Sequence, residues 1–560
     1  MTAKWRLYAV MGGLSIFLFT STARLVDLQI LEHAQWRERA DQIHVRQVVQ
    51  TQPRGSILDR HGRPLAFDVR ATSIALDNYH MTKPELLQGL LENHLGMTSD
   101  EAEQVIYRPS YFTWVARKVD PDTAEALQAD AEAEGINGLL FTPEWKRAYP
   151  QGSLASNLIG FAGVDNEGLE GLELAYDQQL SGQREERAIV RGADGTVLDE
   201  RIVQPGIPGE DLRLTIDARL QRIAESAIRN GVRTYRAKGG FAIVSDPQTG
   251  ELLAVAQDKT YDLNEFRDSA PEERKNIAAV QPFEPGSTFK PFAMLAALDA
   301  GAVHPGDEIN GDSPVTIAGH PINNAEYRSY GTILPSQVIE MSVNTGIVRI
   351  AQDLGQERLY AFLDRLQFGR ETNLALPGEV TGTLRPLEQW SRLSIGTIPI
   401  GQGISVTGLQ LARAYGAIAN GGLFMPLQIL RSPSSDPGNG ARNGRRVASR
   451  TDVRRLTSMM ERVVHGDRGT GVYAKVNGFR IAGKSGTGQK AVAGQGYVDG
   501  KYTSLFAGFF PADDPQYLVL VVLDEVGQEQ YYGGLTAAPL FKQIAEGIID
   551  ETHPALLDRN

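Results

Sequence analysis

A serine and a lysine lie three positions apart in the stretch Phe283-Glu-Pro-Gly-Ser-Thr-Phe-Lys-Pro-Phe292. Three positions make about one helical turn, so the side chains of Ser287 and Lys290 would point the same way. The preceding Pro-Gly predicts a turn, and the apolar residues that follow predict a helix beginning there. A helix N-terminus stabilises developing negative charge, and apolar neighbours favour a neutral lysine. The pair could therefore be a nucleophile and its base, although a lone S-x-x-K is more often a helix cap with a surface lysine.

Two further patterns follow Ser287. The first is the triplet Ser342-Val-Asn344, and the second is the stretch Ile481-Ala-Gly-Lys-Ser-Gly-Thr-Gly488. Together with the three residues before it, the second stretch also fits the phosphate-binding loop formula, in which Gly478 and Gly483 are the two glycines and Lys484-Ser485 follows. However, its middle residues predict a strand, and Gly-Thr-Gly stands where that loop needs a helix, so we reject nucleotide binding. We expect instead a strand edge that presents Lys484 to a ligand, with Gly486 leaving room for a substrate backbone to lie alongside.

Composition excludes several classes of site. The chain has 560 residues, enough for more than one domain, and a net charge of −12, which argues against nucleic acid as a partner. It contains no cysteine, so disulfides and thiolate chemistry are impossible, and its nine histidines form no H-E-x-x-H motif. We therefore predict no metal and no cofactor.

The first residues predict a membrane anchor. Lys4 and Arg6 precede an apolar run over residues 7–19, and the segment Thr20-Ser-Thr-Ala23 follows. Signal-peptide cleavage after that segment is one possibility, but apolar residues continue to Leu31 and favour an uncleaved helix. Basic residues before the run place the N-terminus in the cytoplasm and the rest outside. We predict a cytoplasmic tail over residues 1–6 and a transmembrane helix over residues 7–24.

The remaining chain divides near residue 210. Residues 25–210 are polar and rich in turns, and no nucleophile with its base stands out there. Residues 211–550 predict mixed α and β structure, in which the first and last strands share one sheet, and residues 551–560 form a tail. The predicted strands of that sheet are Phe241–Asp246, Leu252–Ala256, Phe479–Lys484, Ser504–Phe510 and Tyr517–Asp524.

The ordered set S-x-x-K, S-x-N and K-S-G-T resembles the serine acyltransferases that react with penicillin. The chain resembles a class B penicillin-binding protein over nearly all of its length, and most closely the cell-division member. Further motifs that resemble this family are Arg54-Gly-x-x-x-Asp59-Arg60-x-Gly62, Arg147-x-Tyr-Pro150, Gly168-x-Glu-Gly171-x-Glu173, Gly401-Gln-Gly-Ile-Ser-Val-Thr-Gly408 and Tyr531-Tyr-Gly-Gly534. The triplet Ser-Val-Asn departs from the Ser-Ser-Asn that is usual in division enzymes.

The resemblance implies the fold and the function. The fold would be α+β: a penicillin-binding transpeptidase domain, with a central, mainly antiparallel sheet flanked by helices and a helical lobe, after an elongated N-terminal pedestal and one transmembrane helix. The function would be peptidoglycan D,D-transpeptidation through an acyl-enzyme, inhibited by β-lactams, in septal wall synthesis. An elongation-specific transpeptidase, a D,D-carboxypeptidase and a β-lactam sensor without turnover remain alternatives.

The resemblance also implies residue roles. Ser287 would attack the penultimate carbonyl of a stem peptide ending in D-Ala-D-Ala, and Lys290 would take its proton. Ser342 would relay a proton to or from the leaving amine, and Asn344 would hold a substrate amide. Lys290 could be neutral if it is desolvated and if Lys484 lies nearby as a second cation.

The strand motif would bind substrate. Lys484, Ser485 and Thr487 would hold the terminal carboxylate, with Gly486 beside the substrate backbone. The backbone N–H groups of Ser287 and Thr487 would form the oxyanion hole. The implied partners are stem peptides, β-lactam antibiotics, a polytopic glycan polymerase and division proteins. The implied location is the bacterial inner membrane, with the catalytic domain in the periplasm.

Overall fold

The structure is a computed structural model and describes residues 2–33, 36, 45–191, 197–431, 444–492, 496–527 and 530–552. The chain forms two compact units, and both are discontinuous in sequence. The first comprises Met1–Gly55, Asp68–Lys146 and Gln178–Glu210. The second comprises Ser56–Phe67, Arg147–Asp177 and Asp211–Asn560. One junction thus falls at the expected position after residue 210, whereas two segments from the N-terminal half group with the second unit.

The α-helices of the described residues vary from one turn to seven. In chain order they are α1 Thr2–Val26, α2 Pro84–Leu95, α3 Ser99–Ile106, α4 Pro121–Ala133, α5 Ser156–Ile159, α6 Gly171–Ala175, α7 Asp177–Ser181, α8 Ala218–Thr234, α9 Pro271–Arg274, α10 Ile277–Val280, α11 Lys290–Asp299, α12 Pro335–Glu340, α13 Asn344–Leu354, α14 Gln356–Arg365, α15 Ser394–Thr397, α16 Gly408–Ala419, α17 Arg450–His465 and α18 Ala537–Thr552. A short π-helical segment, Asp27–Leu31, continues α1.

The strands of the described residues pair into several sheets. In chain order they are β1 Val45–Gln50, β2 Ile57–Leu58, β3 Pro64–Leu76, β4 Thr113–Val119, β5 Leu139–Ala148, β6 Glu185–Arg191, β7 Val197–Gln204, β8 Leu212–Arg213, β9 Gly239–Ser245, β10 Leu252–Gln257, β11 Ile309–Asn310, β12 Val315–Ile317, β13 His320–Ile322, β14 Thr332–Ile333, β15 Leu423–Phe424, β16 Arg445–Arg446, β17 Ala482–Val492, β18 Gly496–Phe510 and β19 Tyr517–Asp524. The predicted strands Phe241–Asp246 and Leu252–Ala256 correspond to β9 and β10, which pair antiparallel.

The first unit buries the apolar stripes of three helices against a strand. Leu87 and Leu91 of α2 lie on one helix face, as a four-residue spacing requires, and they share a core with Leu127 of α4. Ile74 and Leu76 of β3 complete this core from alternate positions of the strand. The same unit contains the antiparallel sheet β1-β6-β7.

The helix α1 begins this first unit. The stretch Lys4–Leu31 has a mean hydropathy of 1.5 over its most apolar window. Within the described chain it is the one helix long and apolar enough to cross a membrane, and its side chains are exposed. The helix extends beyond the predicted span of residues 7–24 at both ends.

The second unit is built on a five-stranded sheet in the order β10-β9-β19-β18-β17. All its pairings are antiparallel, and strands from both ends of the unit lie side by side, as predicted. The helices α8 and α18 share one core with the Ala242 face of the sheet. The side chain of Phe241, next to Ala242 on β9, points to the opposite face of the sheet. The helix α16 packs on that face, and a Cβ at its Gly408 would lie 2.3 Å from the Phe241 ring.

A mainly helical region lies between β10 and β17 in sequence. Its helix α11 is buried at all but its last residue, which explains why its sequence is apolar on every side. Phe289, Phe292, Phe368 and Tyr415 form an edge-to-face aromatic cluster around the start of α11. Two small sheets, β11-β14 and β12-β13, lie among the helices of this region.

The strand β17 differs from the prediction in its bounds. It begins at Ala482 rather than Phe479 and continues past Lys484 to Val492. The segment before it follows a turn in which Phe479 donates to the carbonyl of Val476. The continuing strand occupies the positions where a phosphate-binding loop would require a helix, which agrees with our rejection of that motif.

Candidate active site

Ser287 lies in a single 3-10 turn, Gly286–Phe289, that leads directly into α11. The predicted turn before a helix is therefore present, although Ser287 precedes the first residue of the α-helix. The Thr288 hydroxyl closes this turn by donating to the Pro285 carbonyl at 2.6 Å. The buried hydroxyl of Tyr415 donates to the Thr288 carbonyl, also at 2.6 Å. These bonds fix the backbone that carries the serine.

A second segment holds the same turn from another direction. The Gly286 N–H donates to the Gly401 carbonyl at 3.2 Å, and the Gly403 N–H donates to the Glu284 carboxylate at 2.9 Å. Gly401 has φ +78, and a Cβ there would lie 2.1 Å from the Gly286 carbonyl oxygen. Glycine at position 401 is therefore required by its positive φ and by the close approach of its backbone to the serine turn.

The amine of Lys290 is held by the S-x-N motif. It lies 2.5 Å from the Ser342 carbonyl oxygen, 3.1 Å from the Ser342 hydroxyl and 2.6 Å from the Asn344 side-chain oxygen. Ser342 has φ 58, a left-handed conformation that is uncommon for serine. The Asn344 amide nitrogen in turn donates to the Asn323 carbonyl at 2.8 Å. One face of the asparagine therefore orients the lysine, and one amide hydrogen remains for another acceptor.

Two lysines of the site lie in the protein interior. Lys290 and Lys484 are both 0% exposed, and within the described residues neither forms an ion pair. Burial, with a smaller contribution from the charge on Lys484, holds the pKa of Lys290 well below its usual value. Burial alone lowers the pKa of Lys484 to about 7. The two conditions named for a neutral Lys290, burial and a second lysine charge nearby, are both present, and its part as a base stays a prediction.

The position of Lys484 differs from the expected one. We expected its ammonium group on the strand edge, in contact with a ligand. Instead it points into the protein and donates to the Ser485 carbonyl at 2.8 Å. Successive strand residues point to opposite faces, so the same pleat that buries Lys484 turns Ser485 toward the open side. Lys484 therefore lies beneath the cavity wall, and its role toward a ligand stays a prediction.

The structure gives a reason for glycine at position 486 that the sequence did not suggest. A Cβ at this position would lie 2.7 Å from the Thr288 side chain and 3.1 Å from the Thr288 backbone nitrogen. The glycine therefore allows the serine turn to pack closely on β17, and its place beside a substrate backbone stays a prediction. On the same strand, Ser485 donates to the Thr470 hydroxyl at 2.9 Å, and Thr487 accepts from the Gly533 N–H at 3.1 Å.

These groups surround one cavity of about 400 Å³. Its walls include the following predicted site residues: Ser287, Ser342, Asn344, Ser485, Gly486 and Thr487. Ser287 is half-buried there, and no hydrogen bond engages its hydroxyl in the part of the chain that the structure describes. The two lysines are not wall residues, because both are wholly buried. In the described ranges, no cluster of three or more His, Asp or Glu side chains could hold a metal.

Sequence reasoning missed several residues of the cavity wall. Tyr330, Thr470 and Tyr473 belong to the wall but to none of the predicted motifs. A signal for Thr470 was present, because residues 469–471 repeat the Gly-Thr-Gly of residues 486–488. Tyr532 lies in a motif that was noted without a role. Its ring contacts that of Tyr531 in a tilted arrangement, with the ring centroids 4.6 Å apart.

Comparison with known proteins agrees with this site. Residues 240–546 match the penicillin binding protein transpeptidase domain, and residues 49–214 match the penicillin-binding protein dimerisation domain. The chain belongs to the class B penicillin-binding proteins. This family relation accounts for the α+β fold around the cavity and for the order of the three motifs.

Relatives of this penicillin-binding protein align over almost its whole length. The "Peptidoglycan D,D-transpeptidase FtsI" of Escherichia coli (strain K12) is 32% identical over 98% of this chain and 92% of its own. The "Probable peptidoglycan D,D-transpeptidase PenA" of Neisseria gonorrhoeae is 31% identical over 98% of this chain and 93% of its own. Penicillin binding protein 3 of Mycobacterium tuberculosis, solved in complex with aztreonam, is 28% identical with a TM-score of 0.70, covering 90% of this chain and 97% of that chain.

Proposed function

We propose that this class B penicillin-binding protein is a serine D,D-transpeptidase that cross-links peptidoglycan through an acyl-enzyme on Ser287 and that β-lactams inhibit it. The observation that carries the proposal is the buried Lys290 amine with a lowered pKa, one turn from a half-buried serine on the wall of the cavity. A neutral amine in that place can accept a proton from the serine hydroxyl.

Acylation would proceed in two steps. The Ser287 oxygen attacks the penultimate D-Ala carbonyl, and its proton passes to Lys290. The N–H groups of Ser287 and Thr487 stabilise the oxyanion, each worth about 3 to 4 kcal/mol in comparable sites. The tetrahedral intermediate then expels the terminal D-Ala, whose amine takes a proton through Ser342. The hydroxyl of Ser342 lies 3.1 Å from the Lys290 amine, which is suitable for this relay.

Deacylation would reverse these roles. An amine from a neighbouring stem peptide attacks the ester carbonyl, loses a proton to the Lys290–Ser342 pair, and displaces the Ser287 oxygen, which takes the proton back. The products are a new peptide bond and the free enzyme. A D,D-carboxypeptidase would differ only in using water in place of the acceptor amine.

The far end of the cavity would bind the terminal carboxylate. The Thr487 hydroxyl accepts from the Gly533 N–H and would donate its own hydrogen to the carboxylate. The Ser485 hydroxyl, two positions earlier on β17, would turn from Thr470 to donate as well. Lys484 contributes positive charge from within the protein, because its ammonium is turned inward. The free amide hydrogen of Asn344 would donate to a substrate carbonyl, in keeping with its place on the wall.

The setting of the reaction follows from the N-terminal helix and the relatives. The apolar helix Lys4–Leu31 would anchor the protein in the inner membrane with its N-terminus in the cytoplasm, leaving the catalytic unit in the periplasm. FtsI-like relatives support a role in septal wall synthesis, with a polytopic glycan polymerase and division proteins as partners.

Covalent labelling tests the assignment directly. We expect a fluorescent penicillin to attach once per molecule, and peptide mass mapping to locate the adduct on Ser287. The variant Ser287→Ala should fold and remain unlabelled, whereas Ser394→Ala, which changes a serine outside the cavity wall, should label normally. An adduct on another residue, or an intact mass without any adduct, contradicts the assignment. Incubation with a stem pentapeptide and an amino-acid acceptor then separates cross-linked from hydrolysed product.

A further inference from the structure

A buried carboxylate lies directly before the S-x-N motif. Glu340, the last residue of α12, is 2% exposed and lies two positions before Ser342. Its carboxylate accepts from the Nε of Arg462 at 2.7 Å, and the Nη2 of Arg462 lies at the same distance. The guanidinium therefore binds it through two nitrogens from the last turn of α17.

The same residue also binds the loop that follows α17, which comprises residues 466–473. The Arg468 N–H donates to the Glu340 carboxylate at 3.4 Å, and the Thr470 N–H donates to the Glu340 carbonyl at 3.2 Å. A Cβ at Gly466 would lie 2.4 Å from the carboxylate oxygen, so a glycine is needed at that position. Glu340 thus binds this loop through both its side chain and its backbone.

This loop forms one wall of the cavity and continues the connection to β17. Gly469, Thr470, Val472 and Tyr473 belong to the wall. The Thr470 hydroxyl accepts from Ser485, which belongs to the K-S-G-T motif. A continuous set of bonds therefore runs from the S-x-N motif, through Glu340 and Thr470, to the K-S-G-T strand.

We propose that Glu340 is a positioning residue of the transpeptidase site, which sets the distance between the S-x-N motif and the K-S-G-T strand through the 466–473 loop. The proposal rests on the proposed function, because it assigns Glu340 a part in Ser287 acylation. Loss of the carboxylate leaves Arg462 without this partner and leaves the loop bound only through the backbone bond from Thr470, so we expect Thr470 and Ser485 to shift relative to Ser342. Misplacement of reacting groups by about 1 Å slows reactions by about 100-fold.

The kinetics of penicillin acylation test the proposal. We expect Glu340→Ala to slow acylation about 100-fold and Glu340→Gln to restore most of the rate, because its amide oxygen can still accept. Thr470→Val should also slow acylation. The double variant Glu340→Ala/Thr470→Val should be no slower than Glu340→Ala within about threefold, because both changes interrupt one connection.

Glu461→Gln is the matched control, since Glu461 is the neighbour of Arg462 on α17 and binds the exposed Arg480 instead. It should acylate like the wild type.

The acylation rate and the labelled fraction are measured separately, because partial unfolding lowers the fraction labelled without changing the rate of the folded molecules. A folded Glu340→Ala that acylates at the wild-type rate, or multiplicative losses in the double variant, overturns the proposal. If Glu340→Ala does not fold, the variants Glu340→Gln and Thr470→Val decide instead. Normal acylation by both of them would also overturn the proposal. An unlabelled wild type would instead contradict the proposed function.

Discussion

At the residue scale, the decisive feature is a lysine amine with three acceptors and no carboxylate within the described residues. Burial favours the neutral form of Lys290, and the charge on Lys484 adds to this effect. A neutral amine has two hydrogens and one lone pair, so it can donate to the Ser342 carbonyl and to Asn344 and still accept a proton. The acceptors that hold the amine therefore leave it able to serve as a base.

The variant Lys290→Met tests this interpretation. Methionine retains the apolar stem but cannot accept a proton, so acylation by fluorescent penicillin should slow by about 100- to 10,000-fold, the usual range for a general base. Two effects on stability oppose each other: a costly buried amine is removed, and the Ser342 and Asn344 oxygens lose a donor. The free energy of unfolding should therefore change by less than about 2 kcal/mol. A well-folded Lys290→Met that acylates normally would show that Lys290 is not the base.

At the element scale, the site depends on the fit between a 3-10 turn and a sheet edge. The turn Gly286–Phe289 packs on β17, and a Cβ at Gly286 would lie 2.7 Å from the Thr487 carbonyl. The edge strand therefore does two things: it carries the K-S-G-T motif and supports the nucleophile. A substitution that pushes the turn away from the strand should therefore lower the rate of acylation more than it lowers the stability of the fold.

The variant Gly486→Ala tests this dependence. Its methyl group would push against Thr288, so we expect a loss of about 1 to 3 kcal/mol in stability, the usual cost of overpacking, and acylation slower by about 10- to 100-fold. Gly416→Ala is the control, because nothing lies within 4 Å of a Cβ at that position in α16. It should acylate normally and gain up to about 1 kcal/mol, since alanine favours a helix. Equal acylation rates for the two variants would contradict the role of the close contact.

At the scale of the whole molecule, one chain combines an apolar N-terminal helix with two compact units. The helix is long enough to cross a membrane, and within the described residues the predicted site lies entirely in the second unit. Chemistry and location therefore belong to different parts of the chain. The site geometry is suited to cross-linking in either septal or lateral wall synthesis, so cellular location distinguishes the two roles.

A fluorescent fusion in growing cells tests the septal role. We expect the full-length fusion to concentrate at midcell during constriction, because relatives of this chain include peptidoglycan D,D-transpeptidases named FtsI and its motifs resemble those of the cell-division member. A Ser287→Ala fusion is the control for whether location depends on catalysis, and it should still reach midcell if partners recruit the protein. A uniform lateral pattern of the active fusion would favour the elongation role.

The sequence alone determined the identity and order of the motifs, the anchor, and a sheet built from strands at both ends of the second unit. These are local patterns of residue type and spacing, and they need no knowledge of distant contacts. The tertiary structure decided the rest: the left-handed Ser342 that directs its carbonyl to Lys290, the inward turn of Lys484, and the bonds of Glu340 and Thr470. The reason is physical. Lys290 and Ser342 lie 52 residues apart, and Glu340 and Arg462 lie 122 apart. Such bonds depend on how helices and strands pack, and spacing along the chain does not encode that packing directly.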